Sequence, residues 1–265
     1  RIMQTFCKIY NQKQRDIFYT SLYHCLIAPN LYSDVDNRYR GMDDKIQNAK
    51  DYNRYTVFSL WDTYRTLHPL LSIIDQKRSM DFAKTFIDMQ LQNGELPMWE
   101  LASAETHCMI GMHGISVLAE LYQKGIYAYP KLTLESMINN ANPELREINK
   151  QNYTNKKHNL LGLDYFTKNG YISSEFEHEG VSKTVEYAYN MYCVAQVAKS
   201  QGRMDLYDEY IKKSQYYRNL INPATGFIHP KENGRFLPNF DLRQIDQNYT
   251  EGNGWHYTFY APHDI

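Results

Sequence analysis

The stretch Tyr249-Thr250-Glu251-Gly252-Asn253-Gly254-Trp255-His256-Tyr257, followed by Pro262-His263-Asp264, sets one carboxylate among an amide, an indole, an imidazole and a phenol. A carboxyl group can protonate a departing glycosidic oxygen, while hydrogen-bonding side chains and flat aromatic faces hold a sugar ring. The same combination recurs at Trp61-Asp62 and Trp99-Glu100, so all three tryptophans of the chain stand close to an acid. Tryptophan is also a large core residue and acids are common. Residue types alone therefore leave a packing role open beside the sugar-binding one.

Groups this far apart share a pocket only if the elements between them pack together, and apolar spacing tells what those elements are. Met3, Phe6, Ile9 and Tyr10, then Ile17, Phe18, Leu22 and Cys25, recur at helical intervals over residues 2–28, and Pro29-Asn30 stops them. Val57, Leu60, Trp61, Tyr64, Leu67, His68, Leu71 and Ile74 keep the i, i+3, i+4, i+7 rhythm of one helix. Met80, Ala83, Phe86, Ile87 and Met89 mark a second, ended by Asn93-Gly94 and Pro97. Ile110, Gly114, Val117, Leu118, Leu121 and Tyr122 mark a third, closed by Gly125 and Pro130. A shorter helix is expected at 131–141, halted by Pro143; residues 182–201 and 204–221 form a further pair, with Gly202 between them and Pro223 after. Strand signals are sparse. The best is Gly226-Phe227-Ile228-His229 and Arg235-Phe236-Leu237 around Asn233-Gly234, a small hairpin.

Successive helix pairs joined by short turns suggest a solenoid or a closed ring of hairpins. The pairs do not repeat in sequence, which argues against a repeat array. The expectation is a mainly all-α fold, part of an α/α toroid whose inner helices present polar and aromatic groups to a central cavity. Trp61 lies on the apolar stripe of its helix and Asp62 one step off it. An unpaired buried carboxylate is costly, so Asp62 should pair with Arg65 or Arg54 or face a wet pocket.

A formal net charge of −1 gives no electrostatic case for nucleic acid or an anionic membrane. No apolar run approaches the roughly 20 residues needed to span a bilayer. Cys7, Cys25, Cys108 and Cys193 are widely spread without CxxC spacing; they indicate neither a zinc site nor a disulfide framework and read as buried thiols. Tyrosine is abundant, at 24, and suits the walls of a polar ligand pocket as well as helix packing. Leu31–Asp51 is a charged loop. Its Asp34-Val35-Asp36-Asn37 opens like a calcium loop, but the glycine and terminal Glu are misplaced for an EF-hand, so Asx turns are the expectation. The chain starts inside a helical pattern at Arg1-Ile2-Met3-Gln4 and stops within another, as a piece of a longer protein would.

The blocks in order resemble glycoside hydrolase family 92, the calcium-dependent exo-acting α-mannosidases. They are Leu31–Asp43; Tyr55-Thr56-Val57-Phe58-Ser59-Leu60-Trp61-Asp62-Thr63-Tyr64-Arg65 with His68-Pro69-Leu70; Gly94–Trp99 with Glu105-Thr106 and Met109–His113; Ser182–Tyr189; Asn222–Phe227; and Thr250–Thr258. The match spans nearly the whole chain and is weakest over residues 131–180. The resemblance implies an N-terminal β-sandwich packed on an (α/α)6 barrel, with residues 1–265 a single segment holding the first and middle part of that barrel. It also implies single-displacement, inverting hydrolysis of terminal α-mannosides in N-glycans or mannans, and export from the bacterial cell. Carried over by motif, Glu251 is the general acid, its proton retained by apolar aromatic surroundings. Trp61 and Asp62 contact the terminal mannose, and Glu105, His113, Glu186, Trp255 and His256 lie in matching blocks as candidate binding or supporting residues.

The family's base carboxylates and much of its calcium site belong to a Gly-Asn-Asp-Asp-type motif downstream of the acid, and none follows Glu251 before Ile265. The expectation is an acid without its base, hence an isolated segment with little or no activity. Three departures accompany the resemblance: His256 stands where the family usually has Gln, Gly254 where it has Ala, and Asn190 where it has Asp. They motivate the alternative of a degenerate carbohydrate-binding homologue without turnover. A helical scaffold with structural Trp–acid pairs is the third reading, and the lack of repeats argues against it.

Overall fold

A computed structural model describes residues 11–145, 162–238 and 240–265 of the chain, and the framework is mostly helical. The first helix, α1 (Gln12–His24), starts where the Asn11 side chain accepts the Gln14 N–H at 2.9 Å. Its expected extension over 2–10, with Cys7, lies outside the described residues.

Residues 57–74 do not form one helix. Short strands β1 (Asn30–Leu31), β2 (Arg38–Arg40), β3 (Ile46–Asn48), β4 (Tyr55–Thr56) and β5 (Phe58–Ser59) come first, then a single turn α2 (Leu60–Thr63) and a separate α3 (Leu67–Ile74). Pro69 explains the break. It sits in the first turn of α3, where its missing N–H is tolerated, but a helix running through from α2 would need that donor. Next, α4 (Gln76–Asn93) is capped at its start by Asp75, which accepts from Arg78 N at 3.2 Å. It ends at Gly94, whose φ of 78° places it in the left-handed region that glycine enters freely.

Strands β6 (Trp99–Leu101) and β7 (Ala104–Glu105) return to pair with β5 in a three-stranded antiparallel sheet, Ser59 opposite Trp99 and Phe58 opposite Glu100. Separate two-stranded pairs join β1 to β4 and β2 to β3. None was expected, because strands of two or three residues are too short for a period-2 pattern to register. The β2–β3 hairpin occupies the calcium-like loop. There Asp36 accepts from Arg38 N and pairs with Arg38 Nε at 2.5 Å, as an Asx turn does.

Helices α5 (His113–Gln123), α6 (Pro130–Ala141), α7 (Leu163–Asn169), α8 (Gly180–Ser200) and α9 (Met204–Lys213) build the rest. The run expected to reach residue 221 tightens after α9 into a 3-10 turn at Tyr216–Leu220. The hairpin of β8 (Lys231–Glu232) and β9 (Arg235–Phe236) turns through Asn233-Gly234, both at positive φ, as foreseen, but its first strand is Lys231–Glu232 and not Gly226–His229, where Ile228 makes only an isolated bridge to Ile221. A final short helix, α10, covers Gly254–Thr258.

The organising element is α8. Sixteen of its 21 residues are buried, and it packs against α5, α6, α7, α9, the 3-10 turn and α10. A helix buried around its circumference is an inner helix, and its polar residues must find partners there. The core continues through Phe58, which meets Phe82 and Phe86 edge-on at 5.5 and 4.8 Å. Of the cysteines, Cys193 on α8 is buried, Cys25 is half-buried and Cys108 is exposed. Cys108 departs from the buried-thiol expectation because it lies in the loop before α5, not in a helix.

Candidate active site

Glu186 is fully buried on α8, yet it is the most heavily contacted acid of the region. Its Oε1 accepts from Trp61 Nε1 at 2.9 Å and lies 3.5 Å from an Arg65 Nη2. Its Oε2 accepts from the Tyr260 hydroxyl and stands 2.8 Å from His113 Nε2, a close polar approach that lies off the axis of a straight hydrogen bond. Burial alone would raise this carboxyl. The opposing influence of His113, Tyr260 and Arg65 is larger in sum and holds it below the ordinary value. Glu186 is therefore a buried anion with its partners in place.

The aromatic wall around it is equally ordered. The Tyr64 ring stacks on His113, centroids 3.9 Å apart and planes 3° from parallel, and its hydroxyl meets that of Tyr260 at 2.5 Å. The Arg65 guanidinium lies over Trp61, Tyr64 and Tyr260, at 5.4, 4.7 and 5.1 Å from their ring centroids. With 39% of its side chain exposed, it keeps an open edge beside the Trp61 indole. Neither Arg65 nor Arg54 pairs with Asp62 as the sequence suggested. Arg65 serves Glu186 and the rings, while Arg54 is buried elsewhere, donating to Thr85 O at 2.9 Å over the Tyr39 ring. Asp62 is exposed and accepts from the Ser59 hydroxyl.

Glu251 reaches the same helix by another route. Thr250 N donates to Ser182 Oγ at 2.9 Å, and Thr250 Oγ1 donates to Glu179 at 2.8 Å. Ser182 and Glu186 are four residues apart on α8, one turn along a common face. The anchors of Trp61 and of the Glu251 loop are thus neighbours. Glu251 itself is exposed, with a left-handed backbone at φ 46°. The apolar enclosure expected around it is not formed by the described residues: the nearby aromatic Tyr257 turns inward to donate to Thr250 O at 2.7 Å, and Trp255 packs edge-on against Phe227 at 4.6 Å.

The remaining candidates separate. Glu105 receives three backbone N–H groups, from Met98, Trp99 and His107, at 2.9, 2.9 and 3.0 Å, and burial pushes its carboxyl up. It holds the turn that carries Trp99. Glu100, fully buried, accepts from Thr56 Oγ1, Val57 N and Ser103 N, and burial pushes its carboxyl up to about 7. Val57, Ala102 and Ser103 all have positive φ, so Glu100 braces a backbone that L-residues adopt reluctantly. Trp255 is 44% exposed. His256 is exposed too, and its Nδ1 accepts from Asn253 N at 3.3 Å while Asn253 Oδ1 accepts from Trp255 N and His256 N, a capping box for α10. Gly254 packs against Leu242, where an added Cβ would come within 2.5 Å of Leu242 Cδ2.

Sequence reasoning did not foresee Tyr64, Arg65 and Tyr260 around Glu186. The available signal was Glu186 itself, a carboxylate within the helical run 182–201, which must have partners if it is buried there. Among the described residues no three His, Cys, Asp or Glu side chains converge as they would around a metal ion. These residues do not assemble a calcium ligand set, and no step below is routed through one.

The model of the glycosyl hydrolase family 92 catalytic domain matches residues 4–265. A solved family GH92 α-mannosidase from Bacteroides thetaiotaomicron superposes with a TM-score of 0.89 at 33% identity, over 98% of this chain and 34% of its own. The same α-mannosidase in complex with mannoimidazole gives 0.84 at 33% identity, over 94% and 32%. A family GH92 inverting mannosidase from Bacteroides thetaiotaomicron VPI-5482 gives 0.79 at 30% identity, over 92% and 32%. An uncharacterized secreted glycosidase from Arthroderma benhamiae is 27% identical over 119 residues, 36% of this chain and 15% of that protein. The chain spans about a third of the length of the solved relatives, and its mostly helical framework is of their (α/α)6 type.

Proposed function

The chain belongs to glycosyl hydrolase family 92, and from that premise we propose that the protein containing it removes terminal α-linked mannose from N-glycans or mannans, with inversion. One observation carries the assignment to this region: Trp61 and the Glu251 loop are fastened to α8 one turn apart, through Glu186 and Ser182. In this reading the Trp61 ring stacks on the sugar and Asp62, exposed, accepts from its hydroxyls. Glu251 protonates the leaving oxygen. Exposure of Glu251 leaves it free to reach a substrate; the desolvation that would tune its proton has to come from bound sugar or from other parts of the protein.

The base is not among the buried acids of this region. Glu186, Glu105 and Glu100 each have their oxygens committed to protein donors and cannot activate water without breaking those contacts. We assign it to a carboxylate elsewhere in the parent protein, together with the calcium ligands and an N-terminal β-sandwich, and accordingly expect little turnover from this segment alone. Secretion is part of the proposal, supported by the secreted Arthroderma relative; no helix of the described residues is long and apolar enough to cross a membrane.

The test is an assay of the parent protein on an aryl α-mannoside and a natural mannobioside, with calcium and with a chelator. Activity should vanish on chelation, and Glu251→Gln should lower turnover of the natural substrate by at least about 100-fold. Equal turnover of both substrates by Glu251→Gln would remove Glu251 from the acid role. Mannose binding without turnover would identify the protein as a degenerate homologue.

A further inference from the structure

We infer that Glu179 is a positioning residue for Glu251: with Ser182 it pins Thr250 to the start of α8 and so sets the backbone from which the Glu251 carboxyl is presented; the inference rests on the acid role proposed for Glu251.

Residues 247–250 lie as a strap along the first turn of α8. Glu179 N donates to Gln247 O at 2.6 Å, and Ser182 N donates to Asn248 O at 3.5 Å. Asn248 is buried and is itself tied down, its Oδ1 accepting from the Ser174 hydroxyl at 2.6 Å. Thr250 ends the strap, also buried, with each of its polar groups engaged. Its N–H goes to Ser182 Oγ at 2.9 Å, its hydroxyl to Glu179 Oε1 at 2.8 Å, and its carbonyl receives the Tyr257 hydroxyl at 2.7 Å.

Glu179 is held in place for this contact. Its other oxygen lies 3.8 Å from Lys183 Nζ, a buried ammonium fixed by Glu177 Oε1 at 2.7 Å and His178 O at 2.9 Å. A carboxylate accepts and does not donate, so it directs the Thr250 hydroxyl proton and with it the Thr250 side chain.

The downstream anchor is equally firm. The capping box fixes Asn253 at the head of α10, and Gly254 packs on Leu242. Between the two anchors stand only Glu251 and Gly252. Glu251 takes a φ of 46°, a conformation that a residue with a Cβ adopts reluctantly and keeps only where its surroundings over-determine it. Thr250 supplies that constraint from one side. With the Glu179 contact removed, Thr250 is free to turn and Glu251 to relax toward negative φ, which swings its Cβ and its carboxyl to a new place. A shift of about 1 Å at a reacting group is enough to cost about 100-fold in turnover.

The experiment compares two substrates of the parent protein that differ in their need for a proton. A mannobioside expels an alkoxide and requires the acid; a dinitrophenyl α-mannoside expels a stable phenolate and does not. Glu179→Ala and Thr250→Val should lower kcat for the mannobioside by about 10- to 100-fold, with its KM and the turnover of the dinitrophenyl mannoside within about twofold of wild type. Glu179→Gln, whose amide oxygen still accepts from Thr250, and Thr250→Ser, which keeps the hydroxyl, should restore most of the mannobioside rate. A packing role alone would slow both substrates alike, so equal losses overturn the inference, as do an unchanged mannobioside rate or a Glu179→Gln as slow as Glu179→Ala. If Glu179→Ala does not fold, Thr250→Val, which leaves the Lys183 contacts intact, decides by the same criteria. Glu251→Gln measured alongside separates the two readings. When it slows the mannobioside selectively and the Glu179 and Thr250 variants do not, the positioning role fails alone; when it shows no selectivity, the acid role fails and the positioning role with it.

Discussion

Trp61-Asp62 and Trp99-Glu100 are the same kind of dipeptide, and β5 and β6 bring them to neighbouring strands, yet they do opposite things. In the first, the acid is exposed on Ser59 and the indole is tied down by a distant buried carboxylate, Glu186. In the second, the acid is buried and gives its oxygens to Thr56, Val57 and Ser103, bracing backbone at positive φ. A carboxylate whose oxygens are committed to protein donors is architecture; one left in water beside an ordered ring is available to a ligand. Glu186 and Glu105 fall on the first side, Glu251 and Asp62 on the second.

That division can be broken by experiment. The largest effect is expected at Glu251, where Gln should cost about 100- to 10,000-fold in turnover of a natural mannoside and leave the denaturation midpoint where it was. An equal loss of stability would move Glu251 to the architectural group. Glu186→Ala should do the reverse first: stranding Arg65, His113, the Tyr260 hydroxyl and the Trp61 N–H should lower stability by about 3–5 kcal/mol, read by chemical denaturation.

Glu100 sharpens the contrast through pH. Its folded value, pushed up by burial to about 7, stands above the ordinary 4.5, so the fold binds this proton more tightly than the unfolded chain. Its contribution is complete below about 4.5 and is lost as pH rises to about 7, at most about 3 kcal/mol over that window. Denaturant midpoints measured across the window should flatten in Glu100→Gln; an unchanged slope would show that Glu100 is not the titrating group. The smallest effect is expected at His256, where Ala removes one acceptor from the capping box and should cost less than about 1 kcal/mol with turnover unchanged. A large fall in turnover there would return His256 to the sugar pocket.

Much of the helical framework was legible in the residues. Apolar periodicity located α4, α5, α6 and α8 to within a few positions, and Asn233-Gly234 marked the β8–β9 hairpin. The periodic run at 57–74 misled because Val57, Leu60 and Trp61 satisfy a helical rhythm while β5 and Pro69 divide the backbone beneath it. The β5–β6–β7 sheet escaped notice because strands of two or three residues are too short to show alternation, and the buried acids that brace it, Glu100 and Glu105, act through side-chain oxygens on backbone N–H groups. Within the candidate site, Trp61, Asp62 and Glu251 were recognisable from their motifs. The partners of Glu186 were not, since Trp61, His113 and Tyr260 are separated from it by long stretches of chain.

By itself the sequence determined the family, the helix-forming segments and the residue types available for sugar chemistry, because periodicity and motif order are local properties read along the chain. Only the tertiary structure decided which acids are spent on holding the fold and which face outward. That choice depends on desolvation and on donors brought from distant segments, and neither quantity exists until α8 is surrounded.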